Sequence, residues 1–100
     1  MAAFKLRAKA RADLKRIAVF TQRRWGTDQR NEYLLQFDEA FRQLAENASI
    51  GRKCDYLRLG YGKYPIASHV IYYKKGEHDC VEIIRILQKH MDVSSALFKA

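Results

Sequence analysis

YPIASHVIYYKKGEHDCVEIIRILQKHMD, residues 64–92, contains the part of the chain with the clearest secondary-structure signal. Residues 69–74 and 80–87 are two runs rich in β-branched and aromatic side chains, separated by a polar turn at 75–79. Alternation with a period of two is the mark of half-buried strands, and two such runs around a short polar turn form a hairpin. In the second run the alternation sends Val81, Ile83, Arg85 and Leu87 to one face, and Glu82, Ile84, Ile86 and Gln88 to the other. Both faces are largely apolar, so this strand is expected at the centre of a covered sheet. Arg85 is the exception, a cation among aliphatic residues.

Outward from the hairpin, the segments are amphipathic. Residues 3–7 (AFKLR) turn Phe4 and Leu6 inward as a short edge strand. Residues 8–25 place Ala10, Leu14, Ile17, Ala18, Thr21 and Trp25 on one face of a helix, with Lys9, Arg11, Lys15, Arg16, Arg23 and Arg24 over much of the rest. Gly26 ends this helix. Thr27 is expected to cap a second helix reaching Asn47, with Asp28 facing its positive end. Leu34, Phe37, Phe41 and Leu44 form its apolar stripe, widened by Tyr33 and Ala40, and a core role accounts for that stripe better than a docking role. Residues 48–60 read as a connection turning at Gly51, and 61–67 as a third strand weakened by Gly62 and Pro65. After Asp92, Leu97 and Phe98 suggest a short C-terminal helix. The order β-α-α-β-β-β describes one α+β domain over residues 1–100, with a helical hairpin on an antiparallel sheet.

Composition narrows the class of partner. The formal net charge is +8, from 19 Lys and Arg against 11 Asp and Glu. Such a surplus suits nucleic acid, an enzyme that works on nucleic acid, or an acidic protein, although solubility alone would also account for it. No apolar run is long enough to span a membrane, and the basic N-terminus has no uninterrupted apolar core of a secretory signal. Cys54 and Cys80 match neither a disulfide framework nor a metal spacing, so they are expected as free thiols in a reducing cytoplasm.

No catalytic constellation emerges from spacing. His69 begins a strand, His78 lies in a turn and His90 follows the last strand, so the three make no triad, pair or metal site. A Cys–His dyad is conceivable, but Cys80 reads more simply as a small buried hydrophobe. Gly60 and Gly62 flank one tyrosine and precede no helix, so there is no phosphate loop. Neither cofactor nor metal is expected.

Specific residues, in order, nevertheless point to a family. Ser68, His69, Val70, Ile71 and Tyr73, followed by Arg85, Ile86, Leu87, Gln88, His90, Met91 and Asp92, resemble the C-terminal half of ParE-type toxins, within the wider RelE/ParE superfamily. Ala10, Asp13, Leu14, Ile17, Gly26, Leu44-Ala45-Glu46-Asn47 and Ile50-Gly51-Arg52 extend the resemblance to nearly the whole chain. No single piece is specific; their order and spacing together are. One departure is Arg7, where relatives usually carry a helix-capping serine, a loss worth on the order of 1 kcal/mol.

The resemblance implies the superfamily topology and the toxin of a bacterial type II toxin–antitoxin pair. Such toxins inhibit DNA gyrase, trap it on broken DNA and halt growth, and they are not themselves enzymes. The target-binding residues expected on this basis are Lys89, His90, Met91 and Asp92 beyond the hairpin, with Arg58, Lys63 and Arg85 as a second group. Arg85 has a structural alternative, an ion pair with Glu82 or Asp92, and Asp92 has another, as the cap of the final helix. The family's neutralising partner is a ParD-like antitoxin with a disordered, often acidic tail, and the two assemble into an oligomer. Lys9, Lys15, Arg16, Arg23 and Arg24 suit that partner.

Two other functions compete. RelE-type relatives cleave messenger RNA in the ribosome with clustered cations, for which Arg58, Lys63, Arg85 and Lys89 are candidates. The segment after Asp92 offers Ser94 and Ser95 in place of the tyrosine several of those enzymes use, and the Met91-Asp92 ending is the ParE form. A plain nucleic-acid-binding module would instead need Tyr61, Tyr64, Tyr72 or Tyr73 exposed beside cations.

Overall fold

Alternating and helical patterns condense into two layers in a computed structural model, which describes residues 3–91. The elements are β1 (Ala3–Leu6), α1 (Ala8–Trp25), α2 (Thr27–Glu46), a single 3-10 turn (Ala48–Ile50), β2 (Arg52–Lys53), β3 (Tyr61–Ile66), β4 (His69–Lys75) and β5 (Cys80–Gln88). The five strands lie in the order β1-β5-β4-β3-β2. The expected α+β arrangement is present, with β5 central and β1 at an edge. Two features go beyond the sequence reading. The sheet is mixed, because β1 runs parallel to β5, and the connection at 48–60 contains the short strand β2. The helix expected after Asp92 lies outside the described residues.

The helices form a hairpin around Gly26, whose φ of 93° is available to glycine at little steric cost. Gly26 itself occupies the cap position of α2, so the second helix begins at Thr27 without the side-chain cap expected from the threonine. Arg7 precedes α1, likewise with no side-chain cap bond. Ala10 and Ile17 of α1 and Phe37, Ala40, Phe41 and Leu44 of α2 pack on Ile71, Tyr73, Val81, Ile83 and Ile86 of the sheet. The α2 stripe is thus core. On α1 the stripe ends early: Leu14 and Ala18 are half-buried, and Trp25 is 61% exposed.

A β-bulge corrects the expected facing of β5. Tyr72 pairs with Arg85, but Tyr73 pairs with Ile83, leaving Ile84 as an extra residue. One inserted residue reverses the alternation beyond it. Ile86 therefore joins Val81 and Ile83 under the helices, whereas Ile84 and Leu87 face the other way. On that outer face they pack with Cys54, Tyr61 and Tyr72, and with Leu57 and Val70 at the margin. The loop between β2 and β3 covers this second, smaller core.

Gly62 shows how tightly the sheet is packed at Tyr73. A Cβ on Gly62 would lie 2.6 Å from Tyr73 Cζ, so the ring can sit there only over a glycine. The Tyr73 hydroxyl then donates to the Ala48 carbonyl, tying the 3-10 turn to the sheet. Pro65 pairs with Val70 beyond the end of β2, where β3 is an open edge and a missing N–H does least harm.

Candidate functional site

The organising polar feature is the exposed side of β5 beyond β1. Arg7 N–H donates to the Ile83 carbonyl at 3.0 Å in the last backbone bond between the two segments. The Ile86 N–H then has no strand to pair with, and Asp13 of α1 takes that place, its Oδ2 accepting at 3.0 Å. Arg85 closes on the same carboxylate, donating from Nε to Oδ2 at 2.7 Å and from Nη2 to Oδ1 at 3.0 Å. Arg16 adds a bond to Oδ1 at 2.8 Å. Asp13 is only 4% exposed, and such a buried carboxylate is tolerable because every bond it receives is charge-assisted or from a strand N–H. The hydrogen bond from Arg85 to Asp13 raises the guanidinium's pKa further against the opposing effect of burial.

This identifies Asp13 as an ion-pair partner of Arg85. The partner lies 72 residues away, which spacing within the hairpin could not reveal. Glu82 instead meets Lys5, Arg7 and Lys74. Burial opposes its ionisation, but the Arg7 hydrogen bond and the three cations together lower its pKa.

The other predicted residues fall into separate groups. Lys89, His90 and Met91 are exposed in the turn after β5, which is held by bonds from Lys89 N–H to Ser68 O and from Met91 N–H to Gln88 O. Asp92 lies outside the described residues. Lys63 lies on β3 and Arg58 in the loop before it, and the head group of Arg85 turns to Asp13 of α1. Lys63 donates from Nζ to the Tyr56 hydroxyl at 2.9 Å, a bond that raises its pKa. Lys9, Lys15, Arg16, Arg23 and Arg24 are all exposed along α1. Among them stand two large exposed apolar side chains, Phe20 and Trp25, in edge-to-face contact, with the Arg24 guanidinium 5.3 Å from the indole centroid.

The histidines remain dispersed. His69 is half-buried between Tyr33 and Phe37, with Nδ1 2.7 Å from the Tyr33 hydroxyl. Burial lowers its pKa, so the neutral ring is favoured at that site. His78 lies in the β4–β5 turn, at the opposite end of β4 from His69. Among the described residues no three His, Cys, Asp or Glu side chains converge as metal ligands. Cys54 is fully buried, and that burial raises its thiol pKa, the opposite of what a nucleophile needs. No helix among the described residues is long and apolar enough to cross a membrane.

Sequence reasoning missed Asp13 as the partner of Arg85, the exposed Phe20–Trp25 pair, and Tyr56. The tyrosines considered for stacking, Tyr61, Tyr72 and Tyr73, are buried and Tyr64 is half-buried, whereas Tyr56 is 72% exposed. The signal for Tyr56 was its place in a loop of polar and charged residues rather than in a strand.

Comparison with known proteins agrees with this architecture. The family described as the ParE toxin of the type II toxin–antitoxin system, parDE, matches residues 4–93. Toxin ParE1 of Mycobacterium tuberculosis is 38% identical over 88 residues, covering 88% of this chain and 90% of the relative. Toxin ParE1 of Caulobacter vibrioides is 33% identical over 97 residues, covering 97% and 99%. A chain of the chromosomal ParDE TA system from P. aeruginosa superposes with a TM-score of 0.73 at 19% identity, over 88% of this chain and 96% of that one, a likeness of fold. With the two-helix hairpin, the sheet order and a family match over almost all of its length, the chain belongs to the ParE toxins of type II toxin–antitoxin systems.

Proposed function

We propose that this toxin acts by binding DNA gyrase and holding it on cleaved DNA, with no bond-making chemistry of its own, and that a ParD-like antitoxin neutralises it by covering α1. The observation that carries the reading is family membership across residues 4–93. The dispersed histidines and the buried Cys54 favour a binding protein over a hydrolase. Lys89, His90 and Met91 leave the sheet on a turn braced through backbone bonds, their side chains are exposed to a large partner, and Asp92 follows them in the sequence. Arg58 and Lys63 extend the contact surface at β3 and its preceding loop. Arg85 serves by holding the end of β5 against α1, which positions that turn. On α1, the cations Lys9, Lys15, Arg16, Arg23 and Arg24 around Phe20 and Trp25 combine charge and apolar area, as an acidic segment that folds on binding requires. Toxin and antitoxin together form the oligomeric species in this reading.

The test is a plasmid assay with purified gyrase, ATP and the toxin. Accumulation of linear DNA or loss of supercoiling, reversed by the antitoxin, is the expected result. Unaffected gyrase together with ribosome-dependent cleavage of messenger RNA would overturn it in favour of the RelE-type activity.

A further inference from the structure

The outer face of the sheet carries an arrangement that neither the fold nor the contacts above explain. Arg52 on β2 stands directly opposite Lys63 on β3, which stands directly opposite Tyr72 on β4. Directly opposed residues share a face, and Tyr72 belongs to the outer core, so Arg52 and Lys63 both project from that side. Like charges in this relation are destabilising. Among the described residues no ion pair joins a carboxylate to either one, and Asp55, the carboxylate of the neighbouring loop, turns its Oδ1 to the Gly60 N–H at 2.9 Å. Arg52 is exposed and Lys63 half-buried, and among the described residues neither charge is offset by a carboxylate.

Tyr56 stands beside Lys63. Lys63 Nζ is 2.9 Å from its hydroxyl and 5.6 Å from its ring centroid. Those two distances put the ammonium beyond the hydroxyl, close to the ring plane, rather than over the ring. The ammonium thus covers neither face of the ring, which is 72% exposed. The ring is also held in place. Its loop is closed by bonds from Cys54 N–H to Tyr61 O, Leu57 N–H to Cys54 O and Tyr61 N–H to Arg58 O, and Leu57 roots it in the outer core.

From this geometry we propose that Arg52, Lys63 and Tyr56 form a binding site for single-stranded nucleic acid. Cations on adjacent strands, whose backbones are about 5 Å apart, each take one non-bridging oxygen of a phosphate. The neighbouring base stacks on Tyr56, a sequence-tolerant contact because every base has a π-face. A duplex keeps its bases inside the stack, so it reaches the cations but not the ring. An acidic peptide would use the charges and leave the ring's placement without a role. The site requires neither gyrase nor the antitoxin, so its failure and failure of the gyrase reading are distinguishable.

The experiment is fluorescence anisotropy of labelled oligothymidylate and oligouridylate, with a duplex of equal length, titrated with the antitoxin-free toxin across a range of salt. Binding of either single strand, more tightly than the duplex, is expected. Tyr56→Ala weakens it by roughly tenfold while Tyr56→Phe keeps it, the base-stacking contribution being of that order. Arg52→Gln lowers the slope of log affinity against log salt by about 0.7, one phosphate contact on a single strand. Lys15→Gln, an exposed cation on α1, measures the diffuse charge effect and changes much less than Arg52→Gln. The preferred strand identifies DNA or RNA as the source. No binding at low salt, binding indifferent to Tyr56→Ala, or equal losses from Lys15→Gln and Arg52→Gln would overturn the proposal.

Discussion

Asp13 on α1 and Arg85 on β5 are joined by two hydrogen bonds, at 2.7 and 3.0 Å, and the same carboxylate accepts the Ile86 N–H. A helix side chain thereby completes a strand edge that β1 is too short to cover.

Truncation of either partner breaks a charge pair that is largely withdrawn from water. Asp13→Ala is expected to destabilise the fold by about 3–5 kcal/mol, the usual range for breaking a buried pair. Arg85→Ala should cost less, because Arg16 and the Ile86 N–H still meet the carboxylate, and the double substitution less than the sum. Urea unfolding of the four proteins measures the coupling. Additive losses would mean that the pair is not a unit. Loss of toxicity in Arg85→Ala with unchanged stability would indicate a role in target binding, whereas loss together with unfolding would indicate a structural one.

Gly62 and Gly26 should respond to alanine for different reasons. In Gly62→Ala the new methyl collides with the buried Tyr73 ring, a cost of about 1–3 kcal/mol for overpacking. Gly26→Ala meets nothing within 4 Å, but φ is +93°, and strain there costs on the order of 1 kcal/mol or more. Combining each with Tyr73→Ala separates them: relief of the Gly62 penalty and no relief of the Gly26 penalty are expected in thermal unfolding.

Glu82 and His69 both shape the acid side of the stability curve. Each has a folded-state pKa below its unfolded value, so the unfolded chain binds more protons and stability falls as pH falls. The His69 contribution is complete above about pH 6.5 and declines as pH drops toward its lowered folded value. The Glu82 contribution is complete above the usual glutamate range, about 4.3, and is lost below it as the carboxyl takes its proton. Melting temperatures from pH 3 to 8 should show His69→Gln flattening the upper part of the decline and Glu82→Gln the lower part. A wild-type curve with no slope between pH 5 and 6.5 would contradict the His69 assignment.

The α1 surface should control the rate of antitoxin capture. Exchanging Arg23 and Arg24 for Glu is expected to slow association by about tenfold at low salt, with a smaller difference at high salt where the charges are screened. Trp25→Ala should instead speed dissociation, because it removes apolar contact area. Stopped-flow mixing with the antitoxin reads both rates. These residues are exposed, so unfolding curves should remain close to wild type.

Interference with gyrase should depend on the turn after β5. Replacing Lys89 and His90 by Ala is expected to reduce accumulation of cleaved plasmid at least tenfold while leaving antitoxin affinity unchanged. Equal loss of both activities would place the effect in the fold.

Local pattern carried much of this architecture. The period-two runs specified β4 and β5, and the spacing of Leu34, Phe37, Phe41 and Leu44 specified the buried face of α2, because side-chain periodicity is a property of the backbone itself. Order and spacing of residues from Ala10 to Asp92 also pointed to the family. Three things depended on tertiary structure. The bulge at Ile84 arises from how two strands share a twist, so alternation read along β5 alone placed Ile86 and Leu87 on the wrong faces. The parallel pairing of β1 depends on the path of the helical hairpin that separates it from β5. The surroundings of the charges were set last: Arg85 pairs with Asp13, whereas Lys63 meets the Tyr56 hydroxyl and Arg52 stands opposite it, exposed. A charge is structural or available according to what lies within a few ångströms of it, and that distance is a property of the folded chain rather than of its text.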